Sequence, residues 1–246
     1  AMAVPLLRAA EQLAQNNQIS SVHATFIDVD QLDYFREAGW MIRADSQFHW
    51  SNDGYSSFDD FLAALSSRKR KAIRKERMKA VESVEIMHLT GDEILPEHRD
   101  YFWEFYQDTG ARKWGQPYLT RSAFDLMQQK MGDKLLLILG IQDNIPVAGA
   151  LNIIGENTLY GRYWGCSRDI PFLHFEICYY SGIEFAISES LQKYDAGAQG
   201  EHKIIRGFEP SKTHSLHWIE HPQFRQAIKR FLDSEQLGIE QHIQQA

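Results

Sequence analysis

Glu201 and His202 stand side by side directly after the glycine loop Gly197-Ala-Gln-Gly200, with Lys203 and Arg206 in the next positions. A carboxylate and an imidazole can each exchange a proton, and cations beside them suit a phosphate or carboxylate on a substrate. Upstream lie Tyr160, Arg162 and Trp164, then His174 and Glu176. Glu201 is the first choice of base, partly desolvated beside the rings of Tyr160 and Trp164, with His202 on the other face of the same short strand. His174 and Glu176 are the next catalytic pair. Arg162, Lys203 and Arg206 are the candidate anion holders. Each of these residues reads equally well as part of a structural ion pair.

The elements that must position them follow from periodicity. Leu159, Tyr160, Tyr163 and Trp164 form an aromatic strand that turns at Gly165. A long helix spans 172–194, with Phe172, Phe175, Ile183, Ala186, Ile187 and Leu191 at helical spacing. It stops at the loop 195–200, where two glycines supply positive φ, and a strand at 203–206 returns. From Val84 the pattern reads as one domain: strand 84–89, a helix from Pro96 to near Gly110, a polar segment 112–118, a helix capped by Thr120, and strands 134–141, 145–154 and 157–164. The connections between those three strands are of hairpin length, so this part of the sheet is antiparallel. A strand at 213–219 and a helix from Pro222 close the chain.

Before this domain, a helix at 4–16, strands at 22–29 and 40–50 and a short helix at 32–38 cannot close a core of their own. The expected division is a partial lobe at 1–55, a basic linker helix at 56–83 and the main domain at 84–246. Ala1 ahead of Met2 is not a translated start, so the chain reads as carrying a cloning remnant or as part of a longer protein.

The net charge is −7, yet eight of the 26 basic residues fall between Arg68 and Lys79, opposed only by Glu76. A single long helix starting at Ser57 carries them. Arg68, Lys69, Arg70, Arg74 and Lys75 are the candidate contacts to phosphate or nucleic acid, against a solvated linker face as the alternative. No apolar run approaches the roughly 20 residues of a membrane span. The two cysteines, Cys166 and Cys178, make no disulfide framework, so a cytoplasmic setting is expected. His214, His217 and His221 lack a completing acid or cysteine and read as hydrogen-bonded histidines, and no metal is expected.

Strand, two helices, three meandering strands, helix, strand is the order of the GNAT acyltransferase fold, an α/β (α+β) arrangement of a mixed, mostly antiparallel sheet flanked by helices. Trp164-Gly165-Cys166-Ser167, the helix with Tyr179, Tyr180 and Glu184, and Tyr194-Asp195-Ala196-Gly197 resemble the FemABX aminoacyltransferases, which extend peptidoglycan cross-bridges from aminoacyl-tRNA. With SRKRKAIRKER upstream and HSLHWI, including His217, downstream, the chain is similar to the bacterial FemAB-like predicted N-acyltransferases, also called peptidoglycan biosynthesis/recognition proteins. The resemblance covers about 56–237 and is most specific at 159–218.

It implies transfer of an acyl or aminoacyl group onto a small-molecule or peptidyl amine, such as a peptidoglycan precursor, with Tyr160, Arg162, Trp164, Tyr179, Lys203, Arg206 and His217 binding substrate. The donor it implies is acyl-CoA or aminoacyl-tRNA, the latter giving the basic helix a purpose. Arg162-Tyr-Trp-Gly165-Cys-Ser167 is a near match to a pyrophosphate-binding CoA loop but departs at its last position. The alternative is a non-catalytic GNAT-like module that recognises a cell-wall peptide or RNA.

Overall fold

The computed structural model describes residues 3–112 and 117–245. In chain order they form α1 (Ala3–Asn16), β1 (Ser21–Thr25), α2 (Leu32–Glu37), β2 (Met41–Ser51), α3 (Phe58–Ala64), α4 (Ser67–Ala80), β3 (Glu85–Thr90), α5 (Pro96–Arg112), α6 (Arg121–Met131), β4 (Leu135–Gln142), β5 (Ile145–Ile154) and β6 (Thr158–Cys166). Then come α7 (173–188), β7 (Lys193–Asp195), a 3-10 helix (Glu201–Arg206), β8 (Glu209–Ile219) and α8 (Pro222–Gln245). The fold is mixed α/β with mostly antiparallel strand pairs.

Two compact units divide the chain, one of residues 1–47 and 210–246, the other of residues 48–209. The basic helix therefore belongs to the second unit and the closing helix to the first, a different parcelling from boundaries near 55 and 83. In the first unit β1 runs antiparallel to β8, with Val22 opposite Trp218 and Ala24 opposite Leu216. Trp40, Leu216 and Trp218 centre its core, where Glu11 accepts the Trp40 indole N–H at 2.7 Å.

The second unit holds the expected order of strand, two helices, three meandering strands, helix and strand. Asp143 and Asn144 adopt φ of 54° and 62° in the β4–β5 hairpin, as a two-residue turn between twisted strands requires. β4 is buried along both faces: Leu136 and Ile138 join the core under α3, α4 and α7, while Leu135, Leu137 and Leu139 join Phe102, Phe105 and Phe124 of α5 and α6. Such a strand reads as a continuous apolar run because neither face meets water. α7 crosses between β6 and β7, and those two strands pair in parallel, the geometry a helical crossover gives.

Four local expectations are corrected. The helix foreseen from Ser57 through the basic run is two: Leu65 is extended, and Ser66 caps α4 by accepting the Lys69 amide. The helix foreseen over 172–194 ends at Ser188, and Lys193–Asp195 is strand β7, held by β6 on one side and by His49–Ser51 of β2 on the other. Gly165 does not turn the chain; it lies within β6 opposite Gly149. A Cβ there would stand 2.2 Å from the Phe105 carbonyl oxygen, so glycine is set by the approach of α5. Residues 203–206 are 3-10 helix, because Gly200 and Gly207 at φ of 100° and 86° reverse the chain on either side. The polar segment 112–118 falls mainly outside the described residues.

Candidate functional site

β6 and β7 pair through only three residues each: Thr158 with Lys193, Leu159 with Tyr194 and Tyr160 with Asp195. β7 then ends, because the Asp195 carboxylate accepts the Gly197 amide at 2.8 Å and Gly197, at φ 79°, bends the chain away. β6 continues to Cys166 with no strand on that side among the described residues. Its pairing with β5 slips at the same level: Leu151 faces Tyr163 and Asn152 faces Gly161, leaving Arg162 as an extra, bulged residue. A bulge re-aims its side chain and is a frequent companion of active sites.

A cavity of about 130 Å³ occupies this opening, walled by Asn152, Arg162, Trp164, His174, Cys178, Tyr179, Tyr194 and Ala196. Its floor is a fixed polar network. The buried Asn152 donates to the Leu136 carbonyl at 3.4 Å and its amide oxygen lies 3.1 Å from the Tyr194 hydroxyl, which also lies 2.6 Å from the Cys178 carbonyl. Burial pushes the Tyr194 hydroxyl well above its ordinary pKa. Gly182 admits the Tyr194 ring, since a Cβ would sit 2.4 Å from it.

α7 supplies the roof. Glu176–Tyr180 form a π turn within it, a geometry that recurs at functional sites. The His174 ring lies edge-on to Trp164 at 5.1 Å and to Tyr179 at 5.4 Å. Both His174 and Trp164 also line a second cavity of about 330 Å³ that includes Cys166, Arg168 and Asp169, so the two rings form the partition between the spaces. The Tyr179 hydroxyl is 3.0 Å from His202 Nε2. Partial burial, then Arg206 and Lys203, hold the His202 imidazole below its ordinary value.

The foreseen site residues thus separate into groups. Arg162, Trp164, His174 and Tyr179 meet at the cavity, and His202 reaches it through Tyr179. Tyr160 packs under the Arg162 guanidinium at 5.7 Å. Glu201 is exposed and outside the cavity wall, so the opposite-faces arrangement expected of a strand does not apply to it and His202. Glu176 is buried and held by Arg77 through contacts of 2.8 to 3.2 Å. Burial raises its carboxyl above the ordinary value despite that partner.

Arg206 is buried in a two-pronged pair with Glu76, which also accepts the Tyr180 hydroxyl, and its guanidinium lies 3.5 Å over the Phe175 ring. Lys203, 4% exposed, donates to the carbonyls of Ala196 at 2.5 Å and Gly197 at 3.1 Å. Burial lowers its pKa to about 8. Lys203 therefore holds the loop that forms one wall of the cavity. His217 lies in the first unit, opposite His23.

The cations of α4 divide in the same way. Lys69 donates to the Ile204 carbonyl, Arg70 to those of Leu62 and Ala63, and Arg74 to Asp59. Arg68, Lys71 and Lys75 are exposed and have no bonding partner among the described residues. Their spacing places them along one side of the helix.

The Arg162–Ser167 match builds no phosphate loop, since it stays in strand to Cys166 and α7 starts only at Leu173. Asn152, Tyr194 and Cys178 were not foreseen as site residues. A lone amide inside the apolar run of β5 was a signal for Asn152; Cys178 carried none beyond its lack of a disulfide partner, and it is half-buried on the cavity wall.

A family described as FemAB-like, peptidoglycan biosynthesis/recognition, matches residues 1–246. No curated protein matches the chain. Among solved structures, FemX is 15% identical with a TM-score of 0.65, covering 92% of this chain and 78% of that one. The C-terminal domain of a putative lysylphosphatidylglycerol synthetase from Agrobacterium fabrum is 10% identical with a TM-score of 0.64, covering 92% and 75%. L-PGS from Bacillus licheniformis is 11% identical with a TM-score of 0.62, covering 92% and 77%. At these identities the likeness is one of fold. Among the described residues no helix is long and apolar enough to cross a membrane.

Proposed function

The chain belongs to the FemAB-like family, and on that premise we propose that it transfers an acyl or aminoacyl group onto an amine, at the opening between β6 and β7. The observation that carries this reading is the three-residue pairing of those strands, which leaves a polar cavity against an unpaired edge of β6. Backbone N–H groups along such an edge are fixed donors for the oxyanion that forms when an amine attacks a carbonyl. His174, on the partition between the two cavities, receives the proton of the attacking ammonium. The new C–N bond replaces the carbonyl's bond to the donor, and the leaving oxygen or sulfur departs with a proton. Arg162, aimed by the bulge, holds an anionic part of the substrate.

The acceptor class that fits the family is a peptidyl amine of a peptidoglycan precursor. Aminoacyl-tRNA is the favoured donor because the CoA-like match is consumed in a strand, while Arg68, Lys71 and Lys75 are free to meet phosphates. Mass spectrometry of the protein incubated with aminoacyl-tRNA, acyl-CoAs and precursor peptides tests this. Product is expected with at least one donor, and His174→Gln should lower turnover by about 10²–10⁴ with peptide binding retained. Peptide binding without product from any donor would instead favour a recognition module.

A further inference from the structure

The chambers on either side of the Trp164–His174 partition differ in the charge that the fold leaves unanswered. Arg162, at the chamber of about 130 Å³, stacks on Tyr160 and meets no acid among the described residues. Asp169, at the chamber of about 330 Å³, makes no hydrogen bond or ion pair among them. It is the only carboxylate among the residues lining either space. Its neighbour Arg168 is drawn toward the β4–β5 hairpin, where NH1 donates to Gln142 at 2.7 Å and lies 3.9 Å from Asp143.

Asp169 stands on a short segment tied at both ends. The Ser167 amide donates to the Val147 carbonyl at 2.8 Å, and the Leu173 amide to that of Ile170 at 3.2 Å. Phe172, at φ 65°, turns the chain into α7 in a conformation that a bulky side chain resists. α5 adds Thr109 to the wall of this chamber, and its hydroxyl oxygen is buried with no hydrogen-bond partner among the described residues. Such orphaned groups are uncommon in folded proteins. Trp164, Ile170 and Leu173 supply apolar lining, and the volume is within the roughly 300–1,000 Å³ range of small-molecule sites.

We propose that the larger chamber is the acceptor site, taking a primary ammonium on an alkyl stem with Asp169 as its anionic partner, while the smaller chamber and Arg162 serve the anionic donor. This rests on the transfer reading at His174. The stem lies against Trp164, Ile170 and Leu173, and the Thr109 oxygen accepts a further N–H of the ligand. His174, which lines both chambers, takes one proton from the nitrogen before it attacks across the partition. An uncharged ligand gains nothing from Asp169.

Titration at pH 7 with Nα-acetyl-lysine amide and with Nα-acetyl-norleucine amide, which lacks the ammonium, tests the assignment without any donor. The Trp164 indole resonance, identified through Trp164→Phe, reports occupancy. The lysine derivative should bind with Kd below about 10 mM and the norleucine derivative at least about tenfold more weakly. Asp169→Asn, at an exposed position, should weaken the lysine derivative about tenfold and leave the other unchanged. Glu156→Gln, in the exposed β5–β6 turn, should alter neither. No binding of the lysine derivative, equal affinities for the two, or full affinity in Asp169→Asn would overturn the proposal. Asp169-dependent binding with no product from any donor would support this site and sink the transfer reading. Product formed by Asp169→Asn with an unchanged KM for the amine would overturn the site and leave transfer standing.

Discussion

On the inward side of α4, Glu76 and Arg77 are enclosed by partners: Glu76 by Arg206 and the Tyr180 hydroxyl, Arg77 by Glu176 and Glu184, with the Arg77 guanidinium 4.3 Å over the Phe58 ring. On the outward side Arg68, Lys71 and Lys75 meet only solvent among the described residues. One helix thus carries two kinds of charge, and the difference lies in solvation. An enclosed charge is held by its partner because water cannot replace it, whereas an exposed one contributes little to folding and stays available to a binding partner.

The sharpest way to break this contrast is to remove an inward partner. Glu76→Gln leaves Arg206, 3% exposed, without its acid, and denaturant unfolding should show a loss of about 3–5 kcal/mol. Replacing both residues by apolar ones of similar size should restore much of it. A loss near that of an exposed substitution would mean that water reaches Arg206.

Lys203 gives the next largest effect. Its folded pKa of about 8 lies below the ordinary 10.5, so between those values the unfolded chain binds more protons and stability from this site rises with pH. Unfolding free energies of wild type and Lys203→Met, measured from pH 7 to 10.5, should diverge in favour of wild type by roughly 3 kcal/mol. Parallel curves would show that the amine keeps its ordinary affinity for protons.

The smallest effect on folding is expected outside. Reversal of Arg68, Lys71 and Lys75 to Glu should change stability by less than about 0.5 kcal/mol. It should nevertheless weaken tRNA binding and flatten the dependence of log K on log salt by about 2, three phosphate contacts' worth. Unchanged binding would leave the outward face as a solvated surface.

The order of elements was legible because apolar spacing and turn residues agree along most of the chain, as at Asp143-Asn144 and at Thr120 before α6. The break at Leu65 was hidden because Phe61, Leu62, Ile73 and Ala80 keep a helical apolar stripe across it, although Ser66 held the cap that marks it. β7 was hidden because Tyr194 falls at helical spacing from Leu191, and only its strand partners decide its conformation. At the site, sequence placed Arg162, Trp164, His174 and Tyr179 in one neighbourhood. It could not tell those facing the cavity from Arg206 and Glu176, since a charged residue bound internally and one awaiting a ligand are the same letter. Glu76 showed the difference faintly, as the lone acid in a basic run.

The π turn at Glu176–Tyr180 sets the angular phase of α7. A π turn takes up one more residue than an α turn, so residues after it are rotated by about 100° relative to an unbroken helix. That offset lets His174 face the cavity while Ile183, Ala186 and Ile187 face the core. Deleting one residue from the turn would restore a uniform helix and swing one of these two sets off its target, so the length of this segment is as much a part of the site as the side chains it carries.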